Sequence, residues 1–192
     1  LDSVFFLYKN REDAEKGSDF GGSGFFIAMP SESLDEITYI YGVTNWHVAV
    51  RDGFSVIRIN TVDGLTDILE FAPEDWEFDP KGGDLAIIPM KLDFDIHLAK
   101  PIPIELIVSN ADLISKHDIG VGDDVFMLGR FVNIDSSKMN QPTARFGYIS
   151  AMPCTVKQPT GRATNSYFLD MHSRTGYSGS PVFVYRTPGT NL

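Results

Sequence analysis

Three residues of this 192-residue chain have the chemistry of a hydrolytic site: a serine, a histidine and an aspartate, each next to a predicted strand. Ser178 lies in the segment GYSGSP, residues 176–181. If this loop curls so that successive amides point inward, the N–H groups of Gly176 and Ser178 converge beside the hydroxyl and form an oxyanion hole. Considered alone, the segment fits a Gly/Ser turn between strands equally well.

A serine hydroxyl needs a neighbouring base to remove its proton, and histidine is the usual base at neutral pH. The chain has four histidines. His47 follows a run, residues 37–43, that predicts a buried strand able to hold the ring rigidly at its end. The other three fit solvated or packing roles first: His97, His117 and His172.

Asp84 is the candidate third member, because it follows a Gly-Gly turn and opens an apolar strand predicted at residues 84–90. A carboxylate placed by rigid backbone can fix the imidazole tautomer and stabilise the imidazolium that forms during the reaction. A turn-stabilising role is the alternative for Asp84 taken alone.

Short apolar or alternating runs bounded by Gly, Pro, Asp and Asn recur along the chain, and no long stretch has helical spacing. The pattern predicts an all-β protein built as barrels or a sandwich. The first half contains six predicted strands, at residues 3–8, 24–29, 37–43, 54–60, 66–71 and 84–90. The second contains four, at 124–129, 144–151, 165–171 and 181–185, with a further possibility at 152–156.

Charge and composition exclude several classes of partner. The formal net charge of −10 repels phosphate backbones, so no nucleic-acid partner is expected. Apolar runs are far shorter than the roughly 20 residues of a membrane span, so no membrane partner is expected either. Cys154 is the only cysteine and favours a cytoplasmic location. Because the sequence begins with Leu1, secretion after removal of a signal stays open.

Together the three segments resemble the trypsin-like, or chymotrypsin-fold, serine peptidases, in the bacterial form that lacks disulfides. TNWH at residues 44–47 looks like the family's histidine motif, DLA at 84–86 its aspartate motif and GYSGSP its serine motif. The order His, Asp, Ser is that of the family. An α/β-hydrolase needs its acid and histidine after the serine, and no His, Asp or Glu follows Ser178.

The resemblance implies two six-stranded antiparallel β-barrels of the chymotrypsin type. The N-terminal barrel, residues 1–98, would carry His47 and Asp84. Residues 99–108, which include two prolines, would form a connector. The C-terminal barrel, residues 109–192, would carry Ser178. We expect this second barrel to be incomplete at its C-terminal end, its last hairpin being disordered, removed by cleavage or supplied by another chain.

The implied activity is that of a serine endopeptidase acting on proteins or peptides through an acyl-enzyme, with no metal and no cofactor. His172 occupies the usual specificity position of the family, six residues before the serine, and is the candidate substrate-binding residue. The alternatives are a non-catalytic, protease-like domain that binds peptides or proteins, and a protease that stays latent until an activating partner orders its loops.

One difference between this sequence and the family's serine motif concerns how the enzyme is activated. Animal digestive members carry an aspartate directly before the serine, and it pairs with a freshly cut N-terminal amine. Here that position holds Tyr177. Activation by insertion of the N-terminus is therefore not expected, and other contacts must order the loop.

Overall fold

The computed structural model describes residues 1–34, 36–80, 82–108, 111–131, 136–157, 163–171 and 176–185. Two β-sheets form its framework, one from each half of the chain. Among the described residues, no helix is long and apolar enough to span a bilayer.

The first sheet contains seven strands in the order β5-β4-β1-β2-β3-β6, with β7 pairing in parallel with β2. The other pairings are antiparallel. The strands are β1 (Val4–Tyr8), β2 (Phe20–Pro30), β3 (Thr38–Thr44), β4 (Val56–Asn60), β5 (Thr66–Leu69), β6 (Ala86–Met90) and β7 (Ile102–Pro103). Short 3₁₀ turns lie at Pro73–Asp75 and Ile104–Leu106.

Strand β1 is buried along its whole length and divides two apolar clusters. Because successive side chains point to opposite faces of a strand, Phe5 and Leu7 enter the main core. Phe6 and Tyr8 instead pack on the other side. The main core also contains Phe26, Val48, Ile57, Ile59, Trp76, Ala86 and Ile88.

Helix α1 (Arg11–Lys16) follows β1 and was not predicted from the sequence. It has only six residues, too few for a helical repeat of apolar positions to be visible. Its start is fixed by Asn10, whose side chain accepts a hydrogen bond of 2.9 Å from the backbone N–H of Asp13. It ends at Gly17, which adopts a left-handed conformation with φ of 66°.

The second sheet has four strands in the order β10-β9-β8-β11, all antiparallel. They follow helix α2 (Ala111–Lys116) and are β8 (Asp124–Arg130), β9 (Pro142–Lys157), β10 (Ala163–Met171) and β11 (Val182–Val184). Strand β9 is continuous over the strand predicted at residues 144–151 and the further possible strand at 152–156. Past Ile149, strand β9 pairs with β10 alone, and we call residues 150–157 and 163–168 the distal hairpin.

The predicted all-β architecture of the chymotrypsin type is confirmed, with a difference in strand number. The described residues form sheets of seven and four strands. The prediction was six and six, with the second barrel incomplete. The extra strand of the first sheet, β7, comes from the segment predicted as a connector and forms only two pairs with β2.

Candidate active site

His47 lies three residues after the end of strand β3 and begins a single π-helical turn, His47–Arg51. Its imidazole Nδ1 makes a short contact with Oδ2 of Asp84. The backbone N–H of His47 donates a second hydrogen bond, of 2.9 Å, to Oδ1 of the same carboxylate. Both oxygens of Asp84 are therefore committed to His47.

The main chain of Asp84 is fixed by the segment that carries His47. The side-chain amide of Asn45 donates a 2.7 Å hydrogen bond to the carbonyl of Asp84. Strand β6 begins at Ala86, where it pairs with Thr44, and not at Asp84 as the sequence predicted. The Asp84 carbonyl bonds a side chain instead of a neighbouring strand, so the ladder starts two residues later.

A second carboxylate, Asp52, lies at the end of the turn that begins with His47, and its backbone N–H bonds the His47 carbonyl. The pKa of Asp52 is lowered mainly by the hydrogen bond from Arg51, with a smaller electrostatic contribution from His47. Asp52 is therefore ionised at neutral pH. The His47 and Asp84 side chains keep 27% and 41% of their surface exposed, so the pair is reachable from solvent.

The loop that carries Ser178 packs against strand β2 of the first sheet. The carbonyl of Ser178 accepts a 2.8 Å hydrogen bond from the backbone N–H of Ser23. The Ser23 hydroxyl donates to the carbonyl of Gly176 at 3.2 Å. Gly179 has φ of 82°, and a Cβ there would stand 2.0 Å from the Ser23 carbonyl oxygen, so only glycine fits.

The serine loop and the turn that begins with His47 both pack against Gly22 of strand β2. A Cβ placed on Gly22 would stand 3.0 Å from the Ser178 carbonyl oxygen and 2.8 Å from a methyl of Val48, the residue after His47. Within the described residues, the Ser178 hydroxyl forms no hydrogen bond to the His47 ring. In substrate-free enzymes such bonds are often long and close only when substrate is present.

Two backbone N–H groups of the serine loop, those of Gly176 and Ser178, are the predicted oxyanion donors. Gly176 has φ of 103°, in the region that favours glycine. The amides of Gly176 and Ser178 donate to no acceptor in the part of the chain that the structure describes. His172, the candidate specificity residue, lies outside the described residues.

Comparison with known proteins supports the fold. No family model matches this chain, and no curated protein matches it. The crystal structure of the MamO protease domain from Magnetospirillum magneticum, in its apo form, is similar with a TM-score of 0.59. That match has 14% sequence identity and covers 95% of this chain and 78% of the other. The fold is that of a chymotrypsin-like protease domain. At this identity the likeness establishes the fold alone.

In this protease-like fold, Tyr177 points away from the surface and is buried. Its hydroxyl shares a 2.6 Å hydrogen bond with the hydroxyl of Thr143 on strand β9. The guanidinium of Arg145 lies 4.7 Å from the centroid of its ring, in cation–π geometry. On the neighbouring strand, a Cβ on Gly129 would stand 2.8 Å from the ring, so Gly129 makes room for it.

The structure pairs His47 with Asp84 and packs the loop of Ser178 against strand β2. Sequence reasoning named these three residues but missed those that hold them. These are Ser23, Asn45, Thr143 and Arg145. Partners such as Ser23 and Gly176 are 153 residues apart, so no local spacing reveals them. The available signals were the Gly-Ser-Gly segment at residues 22–24 and the tyrosine in place of the usual aspartate.

Proposed function

We propose that this chain is a trypsin-like serine endopeptidase in which Ser178 is the nucleophile, His47 the general base and Asp84 the residue that orients it. The observation that carries the proposal is the double engagement of His47 by Asp84 through Nδ1 and the backbone N–H. With Nδ1 occupied, Nε2 is the ring nitrogen left to accept a proton from Ser178.

The reaction follows from these roles. Ser178 Oγ attacks the peptide carbonyl while Nε2 of His47 takes its proton, and Asp84 stabilises the imidazolium. The N–H groups of Gly176 and Ser178 bind the oxyanion of the tetrahedral intermediate. His47 then protonates the leaving amine, and a water molecule activated by the same ring hydrolyses the acyl-enzyme. The chemistry requires no metal or cofactor.

The substrate in this proposal is a protein or peptide chain. His172 occupies the position that in trypsin-like peptidases determines the preferred side chain before the cleaved bond. A neutral or weakly basic imidazole gives no reason to expect a preference for Arg or Lys. A peptide-library cleavage profile measures the preference directly.

Removing the nucleophile or the base tests the activity. Ser178→Ala and His47→Ala should each lower kcat/KM for a cleaved peptide by at least about 10⁴-fold, because a triad acts as a unit. Labelling by a fluorophosphonate probe should be lost in both variants, while thermal unfolding should show that each still folds. Hydrolysis that persists in purified Ser178→Ala would contradict the assignment.

A non-catalytic domain that binds peptides is the second candidate. The observation that favours it is that, within the described residues, the Ser178 hydroxyl forms no hydrogen bond to the His47 ring. A serine that is never activated needs no such bond. The two functions differ in one measurement. Wild-type protein that binds library peptides in a titration, but neither cleaves them nor reacts with a fluorophosphonate, is the binding domain.

A further inference from the structure

We propose that Thr143, through Tyr177, and Ser23 are positioning residues that hold the serine loop in its productive shape without an N-terminal amine. This inference rests on the proposed peptidase function. It concerns the order of the loop, residues 176–180, and the donors that would bind the oxyanion.

The first anchor lies in the second sheet. Tyr177 stands between Gly176 and Ser178, so fixing its ring fixes the peptide units on both sides. The ring is buried, packs against Gly129, and lies beneath the Arg145 guanidinium. Its hydroxyl has a specific partner in Thr143, at 2.6 Å. A buried phenol without that partner would carry an unsatisfied polar group, so the bond specifies one ring position.

The second anchor lies in the first sheet. Ser23 is fully buried on β2 and holds two carbonyls of the loop, Gly176 through its hydroxyl and Ser178 through its backbone N–H. Its own carbonyl accepts a 2.7 Å hydrogen bond from Thr44, which ends the strand leading to His47. The anchor therefore joins the loop to the strand that positions the base.

Three consecutive residues are thus held by hydrogen bonds: Gly176 and Ser178 by the first sheet, and Tyr177 by the second. The loop also closes on itself, since the N–H of Ser180 bonds the Tyr177 carbonyl at 3.0 Å. The described contacts that order the loop come from the two sheets: the hydroxyl and backbone N–H of Ser23, and the hydroxyl of Thr143.

The test separates the effect of the Thr143 hydroxyl from the effect of the size of the side chain. Thr143→Val keeps the shape but removes the bond to Tyr177, whereas Thr143→Ser keeps the hydroxyl. A displacement of about 1 Å in a catalytic group costs up to about 10²-fold in rate. We therefore expect kcat to fall about 10- to 100-fold in Thr143→Val, with KM within about twofold, and to recover in Thr143→Ser.

Two further variants and one control complete the set. Ser23→Ala should lower kcat about tenfold with KM nearly unchanged. A chain with extra residues before Leu1 should keep wild-type kcat within about twofold. Thr155→Val removes a hydroxyl from the same strand, where it bonds Asn165 on the exposed distal hairpin, and should leave kcat unchanged.

Hydrogen exchange of the segment 176–185 gives a readout that does not depend on catalysis. Faster exchange in Thr143→Val but not in Thr143→Ser supports the anchor, even if the wild-type protein hydrolyses nothing and the proposed function fails. Unchanged exchange and kcat in Thr143→Val, equal losses in the Val and Ser variants, or loss of the activity of an active chain when it is extended before Leu1 would each overturn the proposal.

Discussion

The carboxylate of Asp84 makes two hydrogen bonds to one residue, and together they determine which nitrogen of His47 carries the proton. Because Oδ1 accepts from the backbone N–H of His47, the carboxylate cannot rotate without losing that bond. The other oxygen is then held at Nδ1. The proton of the neutral ring is kept on Nδ1, and Nε2 is left as the acceptor.

This geometry makes a sharp prediction for Asp84→Asn. The amide oxygen must face the backbone N–H of His47, so the amide NH₂ group faces Nδ1 and donates to it. The ring proton then moves to Nε2, where it blocks proton transfer from Ser178. We expect kcat to fall about 10⁴-fold at neutral pH with little change in thermal stability. Steady-state kinetics of the variant measures this, and a near-normal rate would show that another carboxylate orients His47.

At the scale of elements, strands that alternate between buried and exposed positions were predictable, and local irregularities were not. Strand β1 was found because five apolar or aromatic residues run between polar turns. The prediction divided strand β9 between residues 151 and 152, one position before Pro153. That residue lies in a register shift against β10, where the missing backbone N–H costs little.

The positions of His47, Asp84 and Ser178 at strand ends could likewise be predicted, since each follows or precedes an apolar run. The conformations around them could not. The π-helical turn at His47–Arg51 and the left-handed glycines of the serine loop depend on contacts with distant chain segments. Such contacts have no periodicity in the sequence.

His97 shows how one side chain joins separate elements. It is buried, its Nδ1 accepts from the backbone N–H of Asp93, and its Nε2 lies 3.0 Å from the carboxylate of Asp67 on strand β5. With Nδ1 acting as acceptor, Nε2 carries the proton and donates it to Asp67. The ring thus fastens the segment after β6 to the edge of the first sheet.

This link predicts a pH dependence of stability. The pKa of Asp67 is lowered, chiefly by the hydrogen bond from His97. A carboxylate with a lowered folded-state pKa stabilises the fold above its unfolded pKa of about 3.9, and that contribution is lost as the pH falls through the folded value. Wild-type protein should therefore unfold at a higher temperature than Asp67→Asn at pH 7. In a calorimetric series the gap should narrow as the pH falls below the unfolded pKa and close below the lowered folded-state pKa of Asp67, and a gap independent of pH would contradict this account.

For the molecule as a whole, the proposed site draws His47 and Asp84 from the first sheet and Ser178 from the second, so it depends on how the sheets are joined. Away from the site, two buried arginines cross the junction. Arg58 on β4 donates to the carbonyl of Ser136, and Arg130 on β8 donates to the carbonyl of Gly17. Arg130 also bonds the hydroxyl of Tyr8 and stacks on the ring of Phe20.

Replacing Arg130 tests the strength of this junction. Arg130→Met keeps the length of the side chain but leaves the Gly17 carbonyl and the Tyr8 hydroxyl without their donor. We expect a loss of about 2–4 kcal/mol in the free energy of unfolding, measured by urea denaturation. Arg11→Met is the matched control, because Arg11 makes only exposed ion pairs and should change stability by less than about 0.5 kcal/mol. Equal losses of stability in the two variants would contradict a stabilising role of Arg130 between the two sheets.

The distal hairpin has a practical consequence for measurement. It carries Cys154, the only cysteine of the chain, which is exposed. The same hairpin carries Thr164, whose methyl would lie 3.6 Å from a Cβ on Gly83, the residue before Asp84. A maleimide dye therefore attaches at one defined point without any mutation, on a hairpin whose Thr164 lies near Gly83. An environment-sensitive dye there can be tested as a reporter of peptide docking in the wild-type chain, through its emission, whether or not the peptide is cut.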